Sequence, residues 1–198
     1  MTRRQIIIGV AIGIVAVVLG WVLMANLSRA LRTMEPDPVA DVPPPQQTTP
    51  SATPAVPRIK ATLFYASEDG RGLVGIEQEV PLAEGTVPQA RALVEAQLTS
   101  APPPPLLSTI PEGTTLRGLF VSSRNEAFVD LETTIRDKHP GGSMNELFTV
   151  YTLVNAITTN LPDVQAVQVL INGREVDTLA GHVDLRRPLR KNEALIIP

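Results

Sequence analysis

Ser143-Met144-Asn145-Glu146-Leu147-Phe148-Thr149-Val150-Tyr151-Thr152-Leu153-Val154-Asn155-Ala156-Ile157 follows a Gly141-Gly142 break and leads into an extended segment at 164–176. Met144, Leu147, Phe148, Tyr151 and Val154 recur at the three-and-four spacing that aligns side chains on one helical face. Val150, Leu153 and Ile157 form a second apolar row beside the first. Ser143 with Glu146 fits a capping box, in which two side chains satisfy backbone amides at a helix start. The remaining positions include Asn145, Thr149, Thr152 and Asn155, and Glu146 is the lone charge. A helix so apolar is expected in the core, with a partner-facing surface as the alternative.

Outward from this helix, the chain alternates extended and helical patterns. Residues 59–66 alternate into the polar turn Ser67-Glu68-Asp69-Gly70, and 73–82 form a second strand candidate. Thr86-Val87-Pro88-Gln89 starts a helix, with Gln89 closing a second capping box and Ala90, Leu93, Val94 and Leu98 as its stripe. The prolines at 102–105 end it by Ala101. Short strands follow at 115–122 and 126–131, joined at Ser123-Arg124-Asn125, then a loop over 136–142 and the opening helix. A strand at 164–171 turns back at Asn172-Gly173, the strongest short hairpin signal, and 194–197 is again apolar. The order predicts an α+β domain over 58–198, with two helices on one face of a small, largely antiparallel sheet.

The N-terminal side reads differently. Residues 1–5 form a short tail with Arg3 and Arg4, and residues 6–27 carry no charge. At about 1.5 Å per residue this run spans roughly 33 Å, enough for a bilayer core of about 30 Å. It is longer than a signal-peptide core, and Met24-Ala25-Asn26-Leu27 is a poor cleavage site, so an uncleaved single-pass anchor is expected. Arg29 and Arg32 nearly balance Arg3 and Arg4; the free amino terminus and short tail favour a cytoplasmic N-terminus and an extracytoplasmic domain. At 100° per residue Gly9, Gly13, Ala16 and Gly20 fall at about 0°, 40°, 340° and 20°, one stripe for close helix packing. Residues 28–57 become Pro-rich, with Pro43-Pro44-Pro45 and too few large apolar residues to fold, hence a flexible spacer rather than an aromatic-groove ligand.

Composition narrows the function. Nineteen prolines concentrate outside the domain's elements, and the absence of cysteine excludes disulfides, thiolate metal sites and cysteine nucleophiles. A formal charge of −3 argues against general nucleic-acid binding. The G-x-x-G at Gly72-Leu73-Val74-Gly75 has apolar contents and falls in a strand, unlike a nucleic-acid clamp.

Several ordered segments over residues 63–197 resemble the GerMN domain family of sporulation and spore germination. They are Leu63-Phe64-Tyr65, Ile110-Pro111-Glu112-Gly113-Thr114, Ala127-Phe128-Val129-Asp130-Leu131 and the helix from Leu147 to Asn155. The most distinctive stretch runs from Val169-Leu170-Ile171-Asn172-Gly173 to Gly181-His182-Val183-Asp184-Leu185. The resemblance implies an extracytoplasmic domain held at a membrane, a fold like the ring-building modules of secretion-type assemblies, and no catalytic residues to carry over.

Candidate chemistry is sparse. His139 falls in a loop, and His182 with Asp184 offers two ligands without a companion cluster, so no metal or cofactor is expected. Ser143 fits capping better than nucleophilic attack, and Asp130 with Glu132 shares a strand face as a solvated pair. Arg186, Arg187, Arg190 and Lys191 form a basic cluster, either a solvated loop or a contact for anionic lipid or cell-wall polymer. The expectation is a non-enzymatic envelope interaction or assembly module with protein partners or further copies of itself. A cell-wall-active enzyme or polymer-binding accessory is the alternative, favoured if His182, Asp184 and Asp130 converge.

Overall fold

A computed structural model describes residues 57–198 together with Trp21 and Met24. No helix among the described residues is long and apolar enough to cross a membrane. The predicted span at 6–27, apart from Trp21 and Met24, lies outside them, as do Gly9, Gly13, Ala16, Gly20 and spacer residues 28–56.

Strands β1 (Arg58–Ala66) and β2 (Leu73–Pro81) form an antiparallel hairpin. Helix α1 (Thr86–Thr99) follows, then β3 (Leu116–Val121), β4 (Glu126–Leu131), a short α2 (Thr134–Asp137) and α3 (Ser143–Asn160). The chain finishes with β5 (Ala166–Ile171), β6 (Arg174–Glu175), a 3-10 turn (Glu193–Leu195) and β7 (Ile196–Ile197). The class is α+β, as the sequence predicts.

Two sheets replace the expected one, in the orders β1-β2-β7 and β3-β4-β5-β6. The division has a physical cause at the free edge of β1. There the Asn160 amide accepts from the Thr62 N–H and donates to its carbonyl, both at 2.8 Å. The Gln97 amide treats Phe64 identically at 2.9 Å, and Ala66 bonds reciprocally with Leu107. Two side chains and one loop residue occupy the places of a neighbouring strand, so no strand of the second sheet can add there. The second sheet is also mixed, because the passage from β4 through α3 returns the chain parallel to β4 in β5. β5 and β6 close antiparallel around Asn172 and Gly173, both at positive φ as the Asn-Gly turn requires.

Helices α1 and α3 cover one face of the four-stranded sheet. Val94, Val150, Leu153 and Ile157 pack there with Leu119, Val129, Val167 and Val169. Phe148 and Ala156 of α3 meet Phe64, Ala66 and Leu73, while Leu93 of α1 meets Ala61 and Val80. Both helices thus serve both sheets, which explains their apolarity around most of the circumference. Part of the segment read as a loop after β4 is α2, whose Ile135 is buried in the core. Gly72 marks a close approach, since a Cβ there would lie 2.8 Å from the Leu195 carbonyl oxygen.

Neither predicted capping box forms. α1 begins after Gly85 at φ 94 without a side-chain cap. Gln89 turns away, accepting from the Ala83 N–H at 2.8 Å and donating to the Pro81 carbonyl at 3.2 Å. The buried amide satisfies the turn from β2, where backbone groups have fewer alternatives than at an exposed helix start. Gln89→Ala is therefore expected to cost about 1–2 kcal/mol and Thr86→Ala less than about 0.5 kcal/mol, read from urea midpoints. The reverse ranking would restore the capping box.

Candidate functional site

The start of α3 concentrates the domain's polar chemistry. Gly142, at φ 88, supplies the N-cap carbonyl, which accepts from the Glu146 N–H at 3.0 Å. Ser143 is exposed and caps nothing, which corrects its assignment as a capping residue. Glu146 cannot reach back because its carboxylate is engaged elsewhere. It is 0% exposed, and Oε1 accepts from the N–H groups of Leu179 and Ala180, both at 2.8 Å. Its other oxygen accepts from the His182 N–H at 2.7 Å and faces His182 Nδ1 at 3.1 Å. The lone charge of the helix thus locks the Gly181-His182-Val183-Asp184 turn onto it.

Burial pushes the Glu146 carboxyl up, but the backbone N–H groups of Ala180, His182, Val183 and Leu179 outweigh it and hold the group below the usual carboxylate range. The carboxylate partner places a hydrogen on His182 Nδ1. His182 is therefore oriented by Glu146, not by Asp184 or Asp130.

The remaining polar row of α3 is also spent internally. Thr149 donates toward the Thr109 carbonyl at 2.6 Å, and its oxygen lies 3.1 Å from His139 Nε2. His139 Nδ1 accepts from the Gly141 N–H at 3.0 Å, so this histidine braces the loop. Thr152 is bonded by the Thr109 hydroxyl, and Asn155 pairs with the backbone of Asn192 through both amide atoms. The row thus ties down the segments at Thr109 and Asn192.

Beside Gly142 lies a groove of about 230 Å³ whose lining includes Ser67, Glu68, Leu107, Met144, Asn145 and Phe148. Leu107 and Met144 leave apolar surface exposed on its rim.

The other sequence candidates do not assemble into a reaction centre. Arg117 pairs with Asp130 at 3.2 Å and with Glu132 at 3.3 Å, while the other oxygen of Asp130 accepts from the Gly173 N–H at 2.6 Å. Asp130 thus closes the β5–β6 turn onto β4. Asp184 is engaged bidentately by Arg186 at 2.9 Å, whose guanidinium holds the carboxyl well below its usual range. Among the described residues no group of three or more histidines and carboxylates could hold a metal. Within the basic cluster Arg186 is neutralised by Asp184 and Lys191 lies 3.3 Å from Glu193. Arg187 and Arg190 are exposed without a carboxylate in salt-bridge range among the described residues.

One surface feature escaped sequence reading. Phe120 of β3 and Phe128 of β4 stack with ring centroids 4.5 Å apart and planes 6° from parallel, and Phe120 is 50% exposed. Their alternation with Leu119, Ala127 and Val129 was the available signal, because it sets both phenylalanines on the face opposite the core.

Residues 62–177 match the family model Germane, described as sporulation and spore germination. This span exceeds half of the chain, and the chain belongs to that family. Among solved structures, the tandem GerMN domains of the sporulation protein GerM from Bacillus subtilis are similar at 15% identity and a TM-score of 0.53. That match covers 68% of this chain and 46% of the tandem one. The first GerMN domain of the same protein is similar at 16% identity and a TM-score of 0.51, covering 67% of this chain and 97% of that one. At these identities the likeness shows the fold. No curated protein matches the chain.

Proposed function

We propose that this chain is a membrane-anchored, extracytoplasmic interaction or assembly module of the bacterial cell envelope, related to sporulation or germination and working without catalysis. The observation that carries this reading is the use of polar groups. Glu146, Gln97, Asn155 and Asn160 are all bound to the domain's own backbone. What faces outward is the exposed Phe120 and a groove rimmed by Leu107 and Met144. Such surfaces suit contact more than bond making. Family membership and the order of uncharged stretch, Pro-rich spacer and folded domain support the placement. In this reading residues 6–27 anchor the chain with the N-terminus cytoplasmic, and the stripe of Gly9, Gly13, Ala16 and Gly20 packs the anchor against another helix.

The natural chain has no cysteine, so a single one reports location. Ser123→Cys, at an exposed hairpin tip, is expected to react with a membrane-impermeant maleimide while the cytoplasmic membrane is intact. Protection until lysis would overturn the placement. Arg187→Glu combined with Arg190→Glu is expected to leave co-sedimentation with cell-wall polymer within about twofold, since exposed charges on a half-neutralised cluster add little. A loss of about tenfold or more would move the reading to a polymer-binding accessory.

A further inference from the structure

β1 and β3 each border a sheet, and their edges are treated oppositely. The edge of β1 is closed by Asn160, Gln97 and Leu107. β3 bonds to β4 on one side only, with Phe120 opposite Phe128 and the Ser122 N–H donating to the Glu126 carbonyl. That phase turns the N–H and C=O groups of Leu119 and Val121 away from β4, and among the described residues neither has a backbone partner there. An unsealed edge is a template for another strand, and most proteins blunt it. Here a bulge between Leu116 and Gly118 interrupts only the start of the edge, and Leu119 to Val121 stay in regular register beside the half-exposed Phe120.

We propose that this edge pairs antiparallel with the same edge of a second copy, about a twofold axis at Phe120. The inference rests on the interaction reading above and names one of its partners. In this register Leu119 bonds to Val121 of the second copy and Val121 to its Leu119, so the outward groups of both residues are satisfied. Phe120 then faces Phe120 of the second copy as a non-hydrogen-bonded pair, the closer of the two antiparallel spacings. The stack already present between Phe120 and Phe128 continues across the axis as a ladder of four rings.

Charge does not oppose the register. It brings the hairpin tip, where Arg124 is already paired with Glu126, toward the second copy's cluster of Arg117, Asp130 and Glu132. Gly118 leaves the neighbouring surface open, its would-be Cβ meeting nothing nearer than Asp130 Cβ at 3.9 Å. An edge this short buries less than the roughly 1,200 Å² at the low end of stable interfaces, so the pair forms where copies are concentrated on one membrane and not in dilute solution.

The test uses the full-length chain in its own membrane, oxidised mildly and analysed without reducing agent. Phe120→Cys is expected to give a disulfide dimer, because Cα atoms of a non-hydrogen-bonded pair lie about 4.5 Å apart. Ser123→Cys is expected to remain monomeric, since the register separates the two copies of residue 123 by about 20 Å. Adding Val121→Pro to Phe120→Cys removes an outward donor and is expected to reduce the dimer at least fivefold, with folding monitored by protease resistance. Absence of the Phe120→Cys dimer, or equal dimer from Ser123→Cys, overturns the pairing. If Val121→Pro fails to fold, the comparison of positions 120 and 123 decides alone. Loss of the dimer with the domain still labelled outside the membrane refutes the strand pairing without touching the proposed placement.

Discussion

Glu146→Ala is expected to destabilise the domain by about 3–5 kcal/mol, read as a shift of the urea midpoint with an unchanged slope. The carboxylate receives N–H groups from Leu179, Ala180 and His182, and the substitution strips all of them of their acceptor in a buried setting. Glu146→Gln keeps the shape but loses the charge and points an amide hydrogen at one of the donors, so an intermediate cost of about 2–3 kcal/mol is expected. His182→Ala removes one side-chain contact and is expected to cost less than about 1 kcal/mol. The lock also sets a pH dependence. The folded carboxyl titrates below the roughly 4.3 of an unfolded glutamate, so its contribution is complete above that pH and is lost as pH falls through the lower folded value. Glu146→Gln should flatten that part of the acid limb; an identical acid limb in wild type and variant would contradict the lock.

Gln97→Leu is expected to cost about 3 kcal/mol, because it leaves the N–H and carbonyl of buried Phe64 without partners. Asn160→Leu does the same to Thr62, which is only partly buried, so water can replace the amide and a smaller loss of about 1.5–2 kcal/mol follows. The order of the two costs is the informative quantity. Both variants also expose part of the β1 edge to other strands, and light scattering should show larger species for Gln97→Leu than for wild type at equal concentration. Equal stability of Gln97→Leu and wild type would mean that β1 needs no seal, and the account of why two sheets form would fall.

Secondary structure was largely legible because it depends on local signals. The apolar spacing of α3, the proline stop after α1 and the Asn-Gly turn each act within a few residues. What was not legible depends on distant partners. Ser143 with Glu146 and Thr86 with Gln89 look like capping boxes, yet each acid or amide is claimed by a more buried segment, at Leu179–His182 and Pro81–Ala83 respectively. A single charge in a long apolar helix was the clue, since such a group is retained in a core only with dedicated partners. The splitting into two sheets was hidden for the same reason, because Gln97 and Asn160 act on β1 across 33 and 98 residues of chain. Of the candidate sites, Asp130 and Glu132 proved to be one ion-paired unit with Arg117, and half of the basic cluster is neutralised by adjacent acids.

In the proposed function the domain acts through its contact surfaces, at the β3 edge and the groove beside α3. Site-specific photocrosslinking in living cells tests it most directly, with a photoreactive residue replacing Phe120, Met144 or Arg187 in turn in the full-length chain. Adducts of defined mass are expected at positions 120 and 144 and none at 187, because the first two lie on the exposed aromatic and apolar surfaces and the third on a solvated loop. Silence at both 120 and 144, with or without adducts at 187, would contradict it.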